Sequence, residues 1–145
     1  MADRYLFKAK RKDNGEWVEG FYFCMTHTDG RHTHHFIIPL GADLSLGTPV
    51  EKIQVEVDQS TICQCTGLKD KNGRVIWEND IVAYWDSYST ESGLAEADCI
   101  GKVVWDDETI SFQVTNRLSA ESYEVLGDEC SVIGNVFDNP ELLEE

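Results

Sequence analysis

The sequence has little of what several functional classes require. Only 3 of its 145 residues are proline, and 12 lysine and arginine residues stand against 27 aspartate and glutamate residues, for a formal net charge of −15. No apolar run approaches the ~18 residues of a membrane-spanning helix, so no membrane association is expected. An acidic chain repels the phosphate backbone of DNA and RNA, so no direct nucleic-acid binding is expected either.

A secretory signal is also missing from the N-terminus, which has no apolar segment after Met1. The chain contains 5 cysteines, and an odd number without a signal peptide indicates reduced thiols in the cytoplasm. Cys63 and Cys65 would lie on the same face of a strand. They are either a redox or metal pair or two buried core residues, and the frequent burial of free cysteine favours the core.

Sequence templates of common catalysts are absent too. There is no Gly-rich phosphate loop ending in Lys-Ser/Thr, no dinucleotide fingerprint and no nucleophile elbow. The carboxylates of Glu78 and Asp80, with those of residues 106–108, suggest acid–base chemistry, but aspartate is also a common turn residue that binds backbone N–H groups. We interpret them as turn residues and predict no catalytic residue, no cofactor and no enzymatic activity.

The most informative stretch runs from residue 66 to residue 82. The sequence of residues 71–74, Lys-Asn-Gly-Arg, predicts a tight turn, and residues 74–77 predict a strand. Asn79 is predicted to be left-handed, and the Asp80 carboxylate is predicted to fix the bend by accepting from backbone N–H groups. A new strand then starts at Ile81, as at the corner of a small barrel.

Strands are predicted on both sides of this stretch, which makes the chain all-β. We expect an N-terminal β-hairpin and strand region over residues 1–59 and an SH3-like small barrel with a short C-terminal helical turn over residues 60–145. The predicted strands are residues 5–10, 16–24, 32–39, 50–58, 74–77, 81–85, 97–105, 109–114 and 130–137. Residues 41–49 and 86–93 are predicted loops, residues 118–125 are ambiguous, and a capping side chain is expected before Pro140.

Histidines form one candidate site, because His27, His32, His34 and His35 are close in sequence. His32 and His34 would share one face of a strand and offer two imidazoles to a metal ion. The alternative is an exposed polar start of a strand. It is favoured because no carboxylate or cysteine at a standard ligand spacing completes the set locally, although Cys24 or Asp29 could approach in space.

Aromatic residues form the other candidate site. Trp77 and Trp105 are predicted to fill the core, where aromatic rings bury a large area. Tyr84 and Trp85 alternate along one strand, so one of them is predicted to face outward as a partner surface.

Three blocks of the chain, in order, resemble the YopX family of phage and prophage proteins: residues 13–22, 66–82 and 132–143. Trp77 stands where that family usually has Tyr or Phe, and Asn79 stands where it usually has Gly. The resemblance implies an all-β protein with an SH3-like barrel, encoded by a phage or prophage in a bacterial host and without an established activity. The structural signature is Thr66, Gly67, Asp70, Asn72, Gly73, Trp77, Glu78, Asp80, Gly134, Asn135 and Pro140.

The function expected from these observations is a non-enzymatic interaction module with an unidentified protein partner, and a homo-oligomer stays open. Charge suggests the alternative. Residues 61–145 carry 5 basic and 18 acidic residues, against 7 and 9 in residues 1–60. Such an acidic half suits a DNA mimic or a nucleic-acid-associated regulator of a host protein.

Overall fold

The computed structural model describes residues 5–42, 45, 47–115, 122–124 and 129–144. These residues are all-β, with antiparallel strand pairs throughout, which confirms the predicted fold class. The chain divides into two compact units, Met1–Cys65 and Thr66–Glu145, so that the division falls inside one strand. Among the described residues, no helix has the length and apolar character needed to cross a membrane.

The first unit is a meander closed by a returning strand. Its neighbours run β4, β3, β2, β1 and then the first residues of β5. A core of Ala9, Ile37 and Val57 lies on one face of the sheet, with Phe7 and Tyr22 among the half-buried side chains packed against it. The strands are β1 (Phe7–Lys10), β2 (Trp17–Thr26), β3 (Thr33–Pro39), β4 (Val55–Glu56) and β5 (Cys63–Lys69).

The predicted strand over residues 50–58 is largely wrong. Val50–Lys52 forms a 3-10 helical turn, and only Val55–Glu56 is a strand. Pro49 supplies no N–H and precedes the turn in an extended conformation, while the backbone N–H of Ile53 closes the turn by donating to the Val50 carbonyl oxygen. The local preference for a turn after proline therefore overrides the apolar–polar alternation.

The second unit contains the remaining strands. The order of hydrogen-bonded neighbours is β10, β9, β8, β7, β11. Its core contains Ile76, Val82, Val103 and Val132, and Tyr84 packs against it. Closure into an SH3-like barrel stays a prediction. The strands are β6 (Val75–Trp77), β7 (Asp80–Thr90), β8 (Gly93–Asp106), β9 (Ser111–Thr115), β10 (Ser122–Glu124) and β11 (Cys130–Asn135).

The predicted loop over residues 86–93 is wrong, because β7 continues to Thr90 and β8 begins at Gly93. The register runs without interruption to the pair Thr90 and Gly93. Gly93 has a φ of 123°, a conformation that glycine adopts without strain and that permits the tight reversal. Backbone hydrogen bonds alone can pair two polar strands of a hairpin, so a low apolar content does not exclude a strand.

The prediction that Ile110 shares a buried face with Phe112 and Val114 is also wrong. Phe112 and Val114 belong to the core cluster, but Ile110 is 75% exposed. Its φ of 54° places it in the left-handed region at the end of the turn before β9. A turn residue does not continue the alternation of the strand that follows it.

The ambiguous residues 118–125 are described in part. Ser122–Glu124 forms β10 and pairs with β9. The other residues of that stretch lie outside the described residues.

Candidate binding surfaces

The signature stretch forms two tight corners fastened by buried carboxylates. Asp70 is 5% exposed, and its Oδ1 accepts from the backbone N–H groups of Asn72 and Arg74, each at 2.9 Å. Its Oδ2 accepts from the backbone N–H of Val132 at 2.8 Å, which connects the turn to β11. Burial acts to raise the pKa of Asp70, but the backbone donors of Val132, Arg74 and Asn72 outweigh it and the pKa lies below its ordinary value.

The second corner follows the sequence prediction. Asn79 has a φ of 70°, in the left-handed region. The Asp80 carboxylate is 3% exposed and accepts from the backbone N–H of Trp77 at 2.8 Å. Trp77 is buried as predicted, whereas Glu78 is half-buried beside it. Because the Asp80 carboxylate bonds the backbone, it is part of the corner rather than of an acidic surface.

The remaining signature residues also have structural roles. The Thr66 hydroxyl donates to the Ile76 carbonyl oxygen at 2.7 Å. Gly67 and Gly73 have φ values of 81° and 82°, which glycine adopts without strain. The side-chain amide of Asn72 donates to the Ser131 hydroxyl at 3.1 Å. The corner therefore depends on residues that lie far apart in the chain.

The C-terminal block closes on itself. The Asn135 side-chain oxygen accepts from the backbone N–H groups of Phe137 and Asp138, and Pro140 begins a 3-10 helical turn, Pro140–Leu143. The expected side-chain cap is wrong, because the Asn139 side chain makes no cap bond and instead accepts from the backbone N–H of Asn135 at 3.2 Å. Gly134 lies against that side chain, where a Cβ would stand 2.5 Å from Asn139 Oδ1.

Cys63 and Cys65 are 1% and 0% exposed, which agrees with the prediction that they are core residues. The Cys63 thiol lies 3.2 Å from the Thr61 carbonyl oxygen and donates to it. The five cysteines carry thiols rather than disulfides, and Cys24 is the one that is exposed.

The outer face of the first sheet carries an apolar surface that the sequence reading missed. We call it the Phe surface and define it as Phe21, Phe23, Met25, Phe36 and Ile38. The register sets Phe21 opposite Ile38 and Phe23 opposite Phe36, so these side chains share one face. Phe21 and Met25 are 54% and 51% exposed, and the rings of Phe23 and Phe36 stack with centroids 5.3 Å apart.

Basic side chains border the Phe surface at β1. The ammonium groups of Lys8 and Lys10 lie over the Trp17 ring, 4.7 Å and 5.4 Å from its centroid. These are cation–π contacts, which hold the two charges beside the aromatic face. The sequence signal for this face is the spacing of Phe21, Phe23 and Met25 at every second position of β2.

The histidines are divided between the two faces of the hairpin. His32 lies in the turn rather than in a strand, and its Nδ1 is 2.7 Å from Asp29 Oδ2. His34 lies in β3, and its Nδ1 is 2.8 Å from Glu56 Oε2. The imidazole of His27 is in ring contact with both.

His35 points to the core side instead. Its Nδ1 lies 2.5 Å from the Tyr22 hydroxyl oxygen. Burial raises the pKa of Tyr22, with a further contribution from a hydrogen bond with Cys24. The described part of the chain contains no group of three or more His, Cys, Asp or Glu side chains arranged to hold a metal ion.

The second unit exposes a smaller apolar surface on the outer side of β7 and β8. We call it the Trp85 surface and define it as Trp85 and Ile100, which the register sets on one face and which are 58% and 43% exposed. Tyr84 packs against the core, so Trp85 is the outward member of the predicted pair. The prediction for Trp105 is wrong: it lies near the end of β8 and is 38% exposed.

Trp105 makes local contacts near the end of β8. Its ring meets Phe112 edge-on with centroids 5.0 Å apart, and its indole N–H donates to Asp107 Oδ1 at 2.8 Å. In the next turn, Asp106 Oδ1 accepts from the Glu108 backbone N–H at 2.9 Å. Two of these three predicted turn carboxylates thus make local hydrogen bonds.

Comparison with known proteins identifies the family. The family model described as YopX protein matches residues 6–144. The chain belongs to the YopX family. The buried signature carboxylates are therefore features of a YopX-family fold in which both corners are fastened by side chains.

A solved structure supports the same fold for this YopX-family chain. It is similar to the crystal structure of protein EF1440 from Enterococcus faecalis, with 27% sequence identity and a TM-score of 0.53. The match covers 95% of this chain and 96% of that chain. No curated protein matches the sequence.

Proposed function

We propose that this YopX-family chain is a non-enzymatic protein-interaction module, encoded by a phage or prophage and active in the cytoplasm of its bacterial host. The observation that carries the proposal is the Phe surface. Its two most exposed members, Phe21 and Met25, are each more than half exposed on one sheet face. Contiguous exposed apolar residues bordered by polar ones are typical of sites where proteins associate.

The character of the surface supports a protein partner. Aromatic residues and methionine are enriched at protein interfaces, and aromatic rings bury large areas there. The adjacent Lys8 and Lys10 favour a partner that carries acidic groups beside its apolar contact. The stacked Phe23 and Phe36 rings give the centre of the surface a fixed shape.

One observation supports the proposal that the chain is not an enzyme. Asp70 and Asp80, the buried carboxylates of the signature, accept from backbone N–H groups in the corners. These two carboxylates therefore serve the fold rather than acid–base chemistry.

A quantitative pull-down from host cells that carry the phage or prophage tests the proposal. The bait is the full chain, compared with Phe21→Ser/Met25→Ser and with the control Tyr5→Ser, which removes a 78% exposed aromatic residue outside the Phe surface. We expect a stoichiometric protein that the wild type and the control retain and that the double variant loses. Equal recovery by all three proteins would contradict the assignment of this surface.

The acidic second unit supports the alternative, a DNA mimic that occupies a nucleic-acid-binding host protein. Residues 61–145 carry a formal charge of −13, from 5 basic and 18 acidic residues. In the same pull-down this alternative predicts a DNA-binding protein that is released by salt or competing duplex DNA and is insensitive to the Phe21 and Met25 changes. Analytical ultracentrifugation of the wild type and the double variant tests a homo-oligomer.

A further inference from the structure

The end of the β2–β3 hairpin brings three imidazoles together, which we call the His cluster: His27, His32 and His34. The backbone N–H of His27 donates to the His32 carbonyl oxygen at 2.7 Å and holds the two ends of the turn together. The ring centroid of His27 is 5.9 Å from that of His32 and 5.0 Å from that of His34. Turn geometry thus places three nitrogen ligands side by side.

Two of these imidazoles are oriented by carboxylates. Asp29 Oδ2 lies 2.7 Å from His32 Nδ1, and Glu56 Oε2 lies 2.8 Å from His34 Nδ1. An ionised carboxylate only accepts, so in each neutral imidazole the proton is on Nδ1 and Nε2 keeps its lone pair. This carboxylate–histidine pairing is the arrangement that fixes the tautomer of metal-binding histidines.

The spacing of the rings is close to that of imidazoles on a shared ion. Two imidazoles bound to tetrahedral zinc at Zn–N distances of about 2.0–2.1 Å have centroids about 5 Å apart. The described residues contain no group of three ligands already arranged around a cation, so binding requires side-chain rotation. Asp29 and Glu56 hold the rings of His32 and His34, so the rotation is that of His27, which is exposed, and exposed side chains change rotamer rapidly.

We propose that the His cluster binds one divalent transition-metal ion, with zinc as the representative, through the Nε2 atoms of His27, His32 and His34. Imidazole ligands suit Zn²⁺, Cu²⁺ and Ni²⁺, whereas Mg²⁺ and Ca²⁺ take oxygen ligands. Asp29 and Glu56 hold two of the rings, and water completes the coordination. The ion connects the two sides of the hairpin end and stabilises the folded state by mass action.

Isothermal titration of the full, untagged chain with zinc chloride at pH 7.5 tests this inference. We expect one ion per chain with micromolar affinity, and a loss of at least about tenfold in affinity for His27→Ala and for His34→Ala. Magnesium chloride should give no heat under the same conditions. Circular dichroism of each variant checks that the exposed substitutions leave the fold intact.

Matched variants separate the His cluster from other zinc ligands. His35→Ala removes a histidine on the opposite face, and Cys24→Ser removes the exposed thiol; both should bind zinc like the wild type. Glu56→Gln keeps all imidazoles but weakens the orientation of His34, and we expect about a tenfold loss of affinity.

A second readout reports the ligands directly. Electron paramagnetic resonance of the Cu²⁺-loaded chain should show nitrogen hyperfine coupling that is reduced in His27→Ala and His34→Ala. Absence of zinc binding, unchanged affinity in both of those variants, or loss of binding in Cys24→Ser would overturn the proposal.

Discussion

The two units of this YopX-family chain reach the same fold class by different means. In the first unit, tight pairing of β2 with β3 leaves aromatic side chains on an open face. In the second unit, buried carboxylates fasten the corners, with Asp70 accepting three backbone N–H groups from two parts of the chain. Formal charge differs as well, at −2 for residues 1–60 and −13 for residues 61–145.

Because of this difference, we expect the two units to tolerate substitutions at different kinds of position. An exposed aromatic residue on the first sheet contributes little to folding, because its side chain keeps much of its contact with water. A buried carboxylate in the second unit has the opposite property, since removing it leaves buried N–H groups without an acceptor. We therefore expect binding variants to concentrate in the first unit and unfolding variants to concentrate at the signature of the second.

The largest effect is expected for Asp70→Ala. The substitution removes the acceptor of the Asn72, Arg74 and Val132 backbone N–H groups. The Val132 donor lies in a buried hydrogen bond, and leaving it without a partner costs about 1–3 kcal/mol. The part-buried donors of Asn72 and Arg74 add to this loss, so we expect the free energy of unfolding to fall by at least about 2 kcal/mol. Urea unfolding measures the total loss.

Amide hydrogen exchange then locates the loss from Asp70→Ala. If the two units unfold separately, protection falls first over residues 66–144, the part of the chain around the substituted turn. Protection that falls equally over β1 to β3 would show that the two units unfold as one and would remove the distinction between them.

A smaller effect is expected for Gly20→Ala in the first unit. A Cβ at Gly20 would stand 1.9 Å from the Ile38 carbonyl oxygen and 2.9 Å from Pro39 Cα, so the paired backbone would have to move. Overpacking of this kind costs about 1–3 kcal/mol. Thermal unfolding should show the loss, and hydrogen exchange should place it in β2 and β3.

Gly134→Ala is the matched substitution in the second unit. There the added Cβ meets the Asn139 side chain, with Oδ1 at 2.5 Å, rather than a paired backbone. Combining it with Asn139→Ala should therefore recover part of the stability lost by Gly134→Ala alone. No recovery in the double variant would show that the clash is with the surrounding backbone.

The smallest effect is a dependence of stability on pH. Because hydrogen bonds keep the pKa of folded Asp70 below its ordinary value, the unfolded chain takes up this proton first as the pH falls. The stabilisation is complete above about pH 4, the ordinary value, and is lost as the pH falls through the folded pKa. The difference in unfolding free energy between wild type and Asp70→Asn should shrink over that range.

Glu56→Gln is the control for pH in the first unit. The hydrogen bond from His34, followed by that from Lys12, lowers the pKa of Glu56, but this carboxylate is partly exposed and solvent screens its interactions. We expect urea unfolding to show a much weaker pH dependence for this pair of proteins. A dependence as large as that of Asp70 would mean that the carboxylates of the two units contribute alike.

Prediction from sequence succeeded where the cause was local. Asn79 takes the left-handed conformation, and Asp80 accepts from a backbone N–H three residues earlier, because both effects depend on neighbouring residues. Burial of Cys63 and Cys65 followed from the two-residue period of a strand. The positions of the predicted hairpin and of the closing strand were approximately right for the same reason.

Prediction failed where a local turn or strand pairing overrode the pattern of residue types, as at Val50–Lys52. The low apolar content of residues 86–93 predicts a loop, yet backbone pairing with residues 93–97 extends the strand. Trp105 was predicted in the core from its residue type, but it lies near the end of β8 and is 38% exposed. The Phe surface was not predicted either, since the alternation of residue types along a strand shows that its two faces differ without showing which face is buried.

The sequence by itself determined the all-β class, the two corners and the YopX family, because turn conformations, strand alternation and the spacing of signature residues are carried by short segments. Only the tertiary structure decided that Asp70 binds β11, that aromatic residues of β2 and β3 form one open surface, and that His27, His32 and His34 meet. These arrangements depend on register and on which strands become neighbours, and the conformational preferences of single residues set neither.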